Sequence, residues 1–173
     1  MNTEHLQYPI GRFDHRKNYS AEEIKGFIQD ISILPEKVRE IAERLSLLQA
    51  SRSYRNGGWT AQQLINHLCD VYINAYMRTK WLLTESQPVI KPYDQDAFAL
   101  LPDANFAPEL SLTLFDYLIR RWVFILENTS DADYLRTSLH PEGDVVYTLG
   151  ELVAMYAWHG KHHLAHLKII AAS

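Results

Sequence analysis

Met155-Tyr156-Ala157-Trp158-His159-Gly160-Lys161-His162-His163-Leu164-Ala165-His166 holds half of the chain's eight histidines. Thr148-Leu149-Gly150-Glu151 precedes it as a capping box, so the stretch reads as the body of a helix. At ~3.6 residues per turn, His159 and His163 lie one turn apart on one face. His166 shares that face, and His162 sits at its edge. Two imidazoles at i and i+4 can reach one ion. Zinc proteases place a Glu directly after the first of the two histidines. Gly160 stands there, which removes the zinc-protease form but leaves metal binding open. The alternative for such a pair is packing or hydrogen bonding on a half-buried face.

Outward from this helix the same logic finds three more. Ser20-Ala21-Glu22-Glu23 is a capping box, and Ile24, Phe27, Ile28, Ile31 and Leu34 follow at helical spacing. Pro35 breaks or kinks the helix. Val38, Ile41, Ala42, Leu45 and Leu48 continue the stripe to about Gln49, as one interrupted helix or two consecutive ones. Tyr54-Arg55-Asn56-Gly57-Gly58 marks a loop. Thr60-Ala61-Gln62-Gln63 then opens a helix to about Thr84, with Leu64, His67, Leu68, Val71, Ala75 and Trp81 inward. Residues 87–107 hold Pro88, Pro92 and Pro102 and form a long crossover. A further helix spans about Ser111 to Asn128, with Leu114, Leu118, Trp122 and Ile125 as its stripe. The segment before the first helix, with Tyr8, Ile10 and Phe13 as anchors, reads as an extended arm. Residues 144–147, after Pro141-Glu142-Gly143, suggest a short hairpin. Four long amphipathic stretches predict an all-α four-helix bundle with a long crossover loop, one domain over residues 1–173.

Composition agrees with a globular chain. It is 173 residues long, 47% apolar and 22% charged, enough to bury a sizeable core. Seventeen basic against 21 acidic residues give a net charge of −4, and no basic cluster suggests nucleic acid or a membrane surface. No run is long and apolar enough to span a bilayer, and the N-terminus lacks a signal-peptide pattern. Cys69 is the single cysteine. Without a disulfide partner it fits a reducing, cytoplasmic setting and reads as a small core residue.

His67 supplies what the last helix lacks. Alone, a histidine between Leu64 and Val71 is more often buried and hydrogen-bonded than a ligand. With His159 and His163 it completes three imidazoles on two facing helices, the pattern of a catalytic divalent site with an open fourth position. Cys69 is turned roughly 200° from His67 and cannot join the same ion. Asp70 shares the His67 face with Asn74 and Arg78. It has three open roles: acceptor for an imidazole N–H, base for water at the ion, or salt-bridge partner of Arg78. His166 is a second candidate for proton handling or for support of the site. Tyr156, one turn before His159, is a core aromatic or a hydrogen-bond donor into the site. Trp59 and Trp158 read as packing residues that fix the two ligand helices. Arg55 and Lys161 are solvated charges or contacts for an anionic substrate.

Tyr8-Pro9-Ile10-Gly11, Tyr54-Arg55-x-Gly57-Gly58-Trp59-Thr60, His67-Leu68-x-Asp70, Lys91-Pro92-Tyr93-Asp94 and Trp158-His159-x-x-x-His163-x-x-His166 resemble the DinB-like superfamily. More closely, they resemble its YfiT-type branch of metal-dependent hydrolases. The resemblance covers about Tyr8 to Leu167. It implies a four-helix bundle, a homodimer, and one divalent metal per subunit, zinc before nickel, held by His67, His159 and His163. The exposed-looking Phe98 and Phe106 fit a pairing surface. The function expected first is hydrolysis of a small-molecule substrate by metal-activated water, with Asp70 or His166 moving the proton. The second is transfer of a low-molecular-weight thiol of the bacillithiol kind, ionised at the same open position. A non-catalytic metal-binding stress-response dimer is the third.

Overall fold

The computed structural model describes residues 3–16, 18–142 and 145–173. The helices are α1 (Glu4–Gln7), α2 (Ala21–Ser32), α3 (Leu34–Ala42), α4 (Leu47–Ala50), α5 (Ala61–Thr84), α6 (Gln95–Phe98), α7 (Pro108–Glu127) and α8 (Leu149–Ala171). A two-stranded antiparallel hairpin, β1 (Thr137–His140) and β2 (Val145–Thr148), lies between α7 and α8. The long elements form a four-helix bundle, with α2 and α3 together acting as one of its four members. Contacts run from α2/α3 to α8, from α8 to α5, from α5 to α7, and from α7 back to α2/α3. The first two long members in the chain therefore face each other across the core, and crossing loops join elements that are not simple neighbours.

Local chemistry places the helix starts where the capping residues fall. Ser20 accepts from Glu23 N while the Glu23 carboxylate accepts from Ser20 N, and Thr60 and Gln63 repeat the arrangement. Thr148 Oγ1 accepts from Glu151 N, 3.0 Å away. Pro35 falls in the first turn of α3, where its missing N–H costs nothing, and the chain forms two consecutive helices hinged at Ile33. The stripe stops earlier than its apolar spacing suggests. The α3 helix ends at Ala42, and Ser46 caps the separate turn α4, which leaves Leu47 and Leu48 in solvent.

Helix α7 corrects another expectation. Its buried residues are Leu112, Phe115, Ile119, Trp122 and Leu126, whereas Leu114 is half exposed. Apolar residues occur on both sides of this helix, so periodicity alone does not choose the inward one. Trp81 is half-buried, and the inward face of α5 is instead carried on by Tyr72, Thr79 and Leu82. Trp122 Nε1 donates to Thr79 Oγ1 at 2.9 Å, which gives the buried indole its partner.

The crossover is pinned by amide side chains from the start of α5. Gln62 donates to the Asn105 and Phe106 carbonyls, Gln63 to the Ala99 carbonyl, and Asn66 to the Asp103 and Ala104 carbonyls. Irregular backbone against a core needs such partners. The N-terminal arm begins with the turn α1 and continues extended. Phe13 packs 5.9 Å from Trp158 and Tyr8 lies 5.9 Å from His162, but Ile10 is exposed and anchors nothing. The hairpin forms as expected, although Gly143 and Asp144 at its turn lie outside the described residues.

Candidate metal centre

His67 lies in the second turn of α5, and its ring sits 4.4 Å from that of Trp59. His159 and His163 occupy successive turns of α8, which packs against α5. The ring of His67 is centred 5.4 Å from His159 and 4.9 Å from His163, and His159 and His163 are 4.4 Å apart. One ring nitrogen from each of the three lies within 4.8 Å of the others. The spacing on α8 and the inward turn of His67 thus bring the three expected ligands together.

The protonation pattern follows from the neighbours. Burial pushes His67 down to about 3. Burial, then the surrounding imidazoles, hold His159 and His163 well below the ordinary histidine range. Burial lowers His162 to about 4, with His166 adding to it. All are neutral at pH 7, the form that ligates.

Tautomers follow from the hydrogen bonds, assigned by partner chemistry. The Leu6 carbonyl can only accept, so His166 Nε2, 3.0 Å away, carries the proton. His166 Nδ1 then accepts from His163 Nδ1 at 3.2 Å. His163 is left with a lone pair on Nε2, 3.1 Å from His159 Nε2. His67 Nε2 and His159 Nδ1 are buried without a partner. Unpartnered buried nitrogens carry a cost that a shared cation removes. The donor set is three neutral imidazoles, two of them with an unpartnered buried nitrogen and the third presenting its Nε2 lone pair toward His159, and it fits a divalent ion such as zinc.

His162, His163 and His166 form a second close group. Within it, both nitrogens of His166 and Nδ1 of His163 are already engaged. His162 Nδ1 is buried without a partner, but the first group holds two such nitrogens, His67 Nε2 and His159 Nδ1. His162 is more buried than a position at the edge of the face suggests. It is 7% exposed, and its ring stacks on Trp158 with centroids 4.7 Å apart.

A cleft of about 450 Å³ opens onto this centre. The α8 histidines form its floor, and Tyr8, Tyr54, Arg55, Trp59, Asp96 and Trp158 contribute to its walls. A smaller cleft of about 260 Å³ reaches His159 and Trp158 from the side of Arg78 and Tyr93.

The other sequence candidates divide. Among the described residues, the Asp70 carboxylate makes no hydrogen bond to the three imidazoles and no ion pair with Arg78. It is half-buried, and burial together with Asp103 raises its pKa. Arg78 donates instead to Tyr156 Oη at 2.8 Å and to the Lys91 carbonyl at 3.1 Å. Tyr156 is a core aromatic, 5.7 Å from Trp122. Cys69 is buried, its thiol pushed up to about 12 by burial and then by Asp70, so it stays an unreactive core residue. Lys161 pairs with Asp30 on α2, away from the cleft, whereas Arg55 lines it. The arm and α6 supply the parts that sequence reasoning missed. Gln7, Gln95 and Asp96 line the cleft, and the Leu6 carbonyl fixes the tautomer of His166. A backbone carbonyl leaves no mark in sequence, and Asp96 lies more than 60 positions from His159.

A four-helix bundle whose facing helices bring three neutral histidines to an open cleft defines a metal-binding bundle protein. The model of the DinB superfamily matches residues 31–167, and the chain belongs to that superfamily. It is 43% identical over 161 residues to a protein of Oceanobacillus iheyensis, covering 93% of each chain. It is 40% identical over 162 residues to one of Bacillus pumilus, covering 94% of this chain and 93% of that one. Both relatives are provisionally named metal-dependent hydrolases. The structure of YfiT from Bacillus subtilis matches with a TM-score of 0.94 and 36% identity over 97% of each chain. YfiT is described as a probable metal-dependent hydrolase with an unusual four-helix bundle topology. No helix among the described residues is long and apolar enough to cross a membrane.

Proposed function

We propose that this chain is a metal-dependent hydrolase of a small molecule, with one divalent ion, zinc before nickel, held by His67, His159 and His163. The observation that carries the reading is the meeting of three neutral imidazoles beside a cleft, with His67 Nε2 and His159 Nδ1 buried and unpartnered. When bound, the ion supplies Lewis acidity, polarising a carbonyl and lowering the pKa of water toward ~7. The protein's own groups orient and exclude. Trp59 packs on the ligand ring of His67, Trp158 stacks on the neighbouring His162, and His166 keeps His163 in the tautomer that presents Nε2. Asp70 and His166 are the residues proposed for moving the proton. The engaged nitrogens of His166 favour its positioning role.

A second reading, transfer of a low-molecular-weight thiol, is supported by the scarcity of carboxylates. Among the described residues lining the main cleft, Asp96 is the one carboxylate, and it is exposed. A thiolate attacks without an adjacent protein base. Zinc- and nickel-loaded protein assayed on esters, amides and thiol–electrophile pairs separates the two. Ester or amide turnover that His67→Ala abolishes is the result expected. Turnover of thiol–electrophile pairs alone would replace the first reading with the second, and no metal-dependent turnover would leave a non-catalytic metal-binding protein.

We also propose that two copies pair. Leu110, Leu114, Tyr117 and Phe124, each at least half exposed, form an apolar stripe on the outward side of α7 and support this reading. Sedimentation as a monomer at micromolar concentration would contradict it.

A further inference from the structure

We propose that the substrate carries an anionic group, carboxylate or phosphate in class, seated by Arg55 on the cleft wall beyond the ligand histidines. This rests on the reading of the same cleft as a substrate site and narrows the kind of molecule it takes. Arg55 belongs to a tight loop closed by the Ser53–Thr60 bridge and by Gly58 N donating to the Arg55 carbonyl at 3.0 Å. Gly57 takes a φ of +68°, a conformation that favours glycine. At Gly58 a Cβ would stand 2.9 Å from Arg55 Cγ and 2.9 Å from Tyr54 Cε1. The two glycines let both side chains fold down together onto the cleft.

The Tyr54 ring stacks on His166 at 3.9 Å, and the Arg55 guanidinium lies 5.3 Å from the Tyr54 ring centre. Arg55 is thus set off from His163 by two ring layers, so the group it holds is not the one that reaches the ion.

The guanidinium is short of partners. Nη1 donates to the Asn56 carbonyl at 2.9 Å, and Nε is buried with none. Arg12, Arg16, Arg39, Arg120 and Arg136 each lie beside a carboxylate. No carboxylate pairs with Arg55 among the described residues, Asp96 across the cleft included. A fork of donors with a desolvated N–H, facing a cavity of metabolite size, suits an oxyanion far better than a neutral amide.

Trp59 and Trp158 on the cleft walls supply a fluorescence readout. The probes are hippurate, its neutral primary amide, and phenyl phosphate, titrated into zinc-loaded and chelated protein. At least one anionic probe should bind ~10-fold or more tightly than the amide in both forms. Arg55→Gln should erase that preference, and Arg55→Lys should keep part of it. Whichever anion wins identifies the class. An amide that binds as well as both anions would overturn the proposal, as would a preference that survives Arg55→Gln. Failure of both anions to bind at millimolar concentration would do the same. A preference that disappears on chelation would assign the anion to the ion and overturn the role of Arg55. Because the chelated protein is titrated too, failure of the hydrolase reading leaves this result interpretable. Should Arg55→Gln not fold, Arg55→Lys decides: a preference reduced but still present supports the proposal, and an undiminished one overturns it.

Discussion

His166 joins the N-terminal arm to the histidine triad, with Leu6 on one nitrogen and His163 on the other. Loss of such a supporting group lowers metal affinity about 10–100-fold. His166→Ala should show that drop in competition with a chromophoric chelator. His166→Asn, whose amide oxygen can still accept from His163 Nδ1, should recover part of it. Unchanged affinity in the alanine variant would remove His166 from the centre. Alanine at His67, His159 or His163 should abolish stoichiometric binding. His162→Ala should keep one ion per chain but melt at lower temperature, because its ring fills space between Trp158 and His166. Metal loss in His162→Ala equal to that in the triad variants would point to the His162, His163 and His166 group instead.

Helix α8 meets α3 and α5 at Gly160. A Cβ there would run into Leu34 Cδ2 and stand 2.5 Å from Tyr72 Oη, which donates to the Tyr156 carbonyl at 2.7 Å. Overpacking of this kind costs about 1–3 kcal/mol, more than the ~1 kcal/mol that alanine gains over glycine inside a helix. Gly160→Ala should therefore melt a few degrees below the wild type in a thermal scan, and an unchanged or raised midpoint would contradict this packing. The position that excludes a zinc protease by sequence is thus occupied by glycine for reasons of helix approach. The helices were legible because their signals are local: Ser20, Thr60 and Thr148 stand where the chain turns helical, and the apolar spacing follows. The inward side of α7 was not, since Leu110 and Leu114 compete with Leu112 and Phe115 for the core. The path of the crossover was not either, because Gln62, Gln63 and Asn66 look like ordinary polar helix residues until the carbonyls they meet are known.

Across the whole molecule the buried imidazoles tie stability to pH. Unfolded histidine titrates near ~6.5, whereas folded His67 titrates at about 3 and His162 at about 4. The unfolded chain takes up protons first as pH falls. Stability is therefore full above about 6.5 and declines toward the folded values. Chelated protein should show this decline in thermal melts. Metal-loaded protein should start higher and lose its advantage over the same window, because protons displace the ion. A melting gap that stays constant from neutral to acid pH would contradict ligation by these histidines. The meeting of His67, His159 and His163 was readable from sequence because two of them are spaced by one turn and the third lies on a capped, amphipathic helix. The cleft was not, since its walls come from the arm, the glycine loop and α6, brought together only by the fold. The most direct test is anomalous diffraction at the zinc edge from crystals of the zinc-loaded protein. One peak per chain, ~2.0–2.1 Å from a nitrogen of each of His67, His159 and His163, is the result predicted. A peak centred among His162, His163 and His166, or no peak at all, would contradict it.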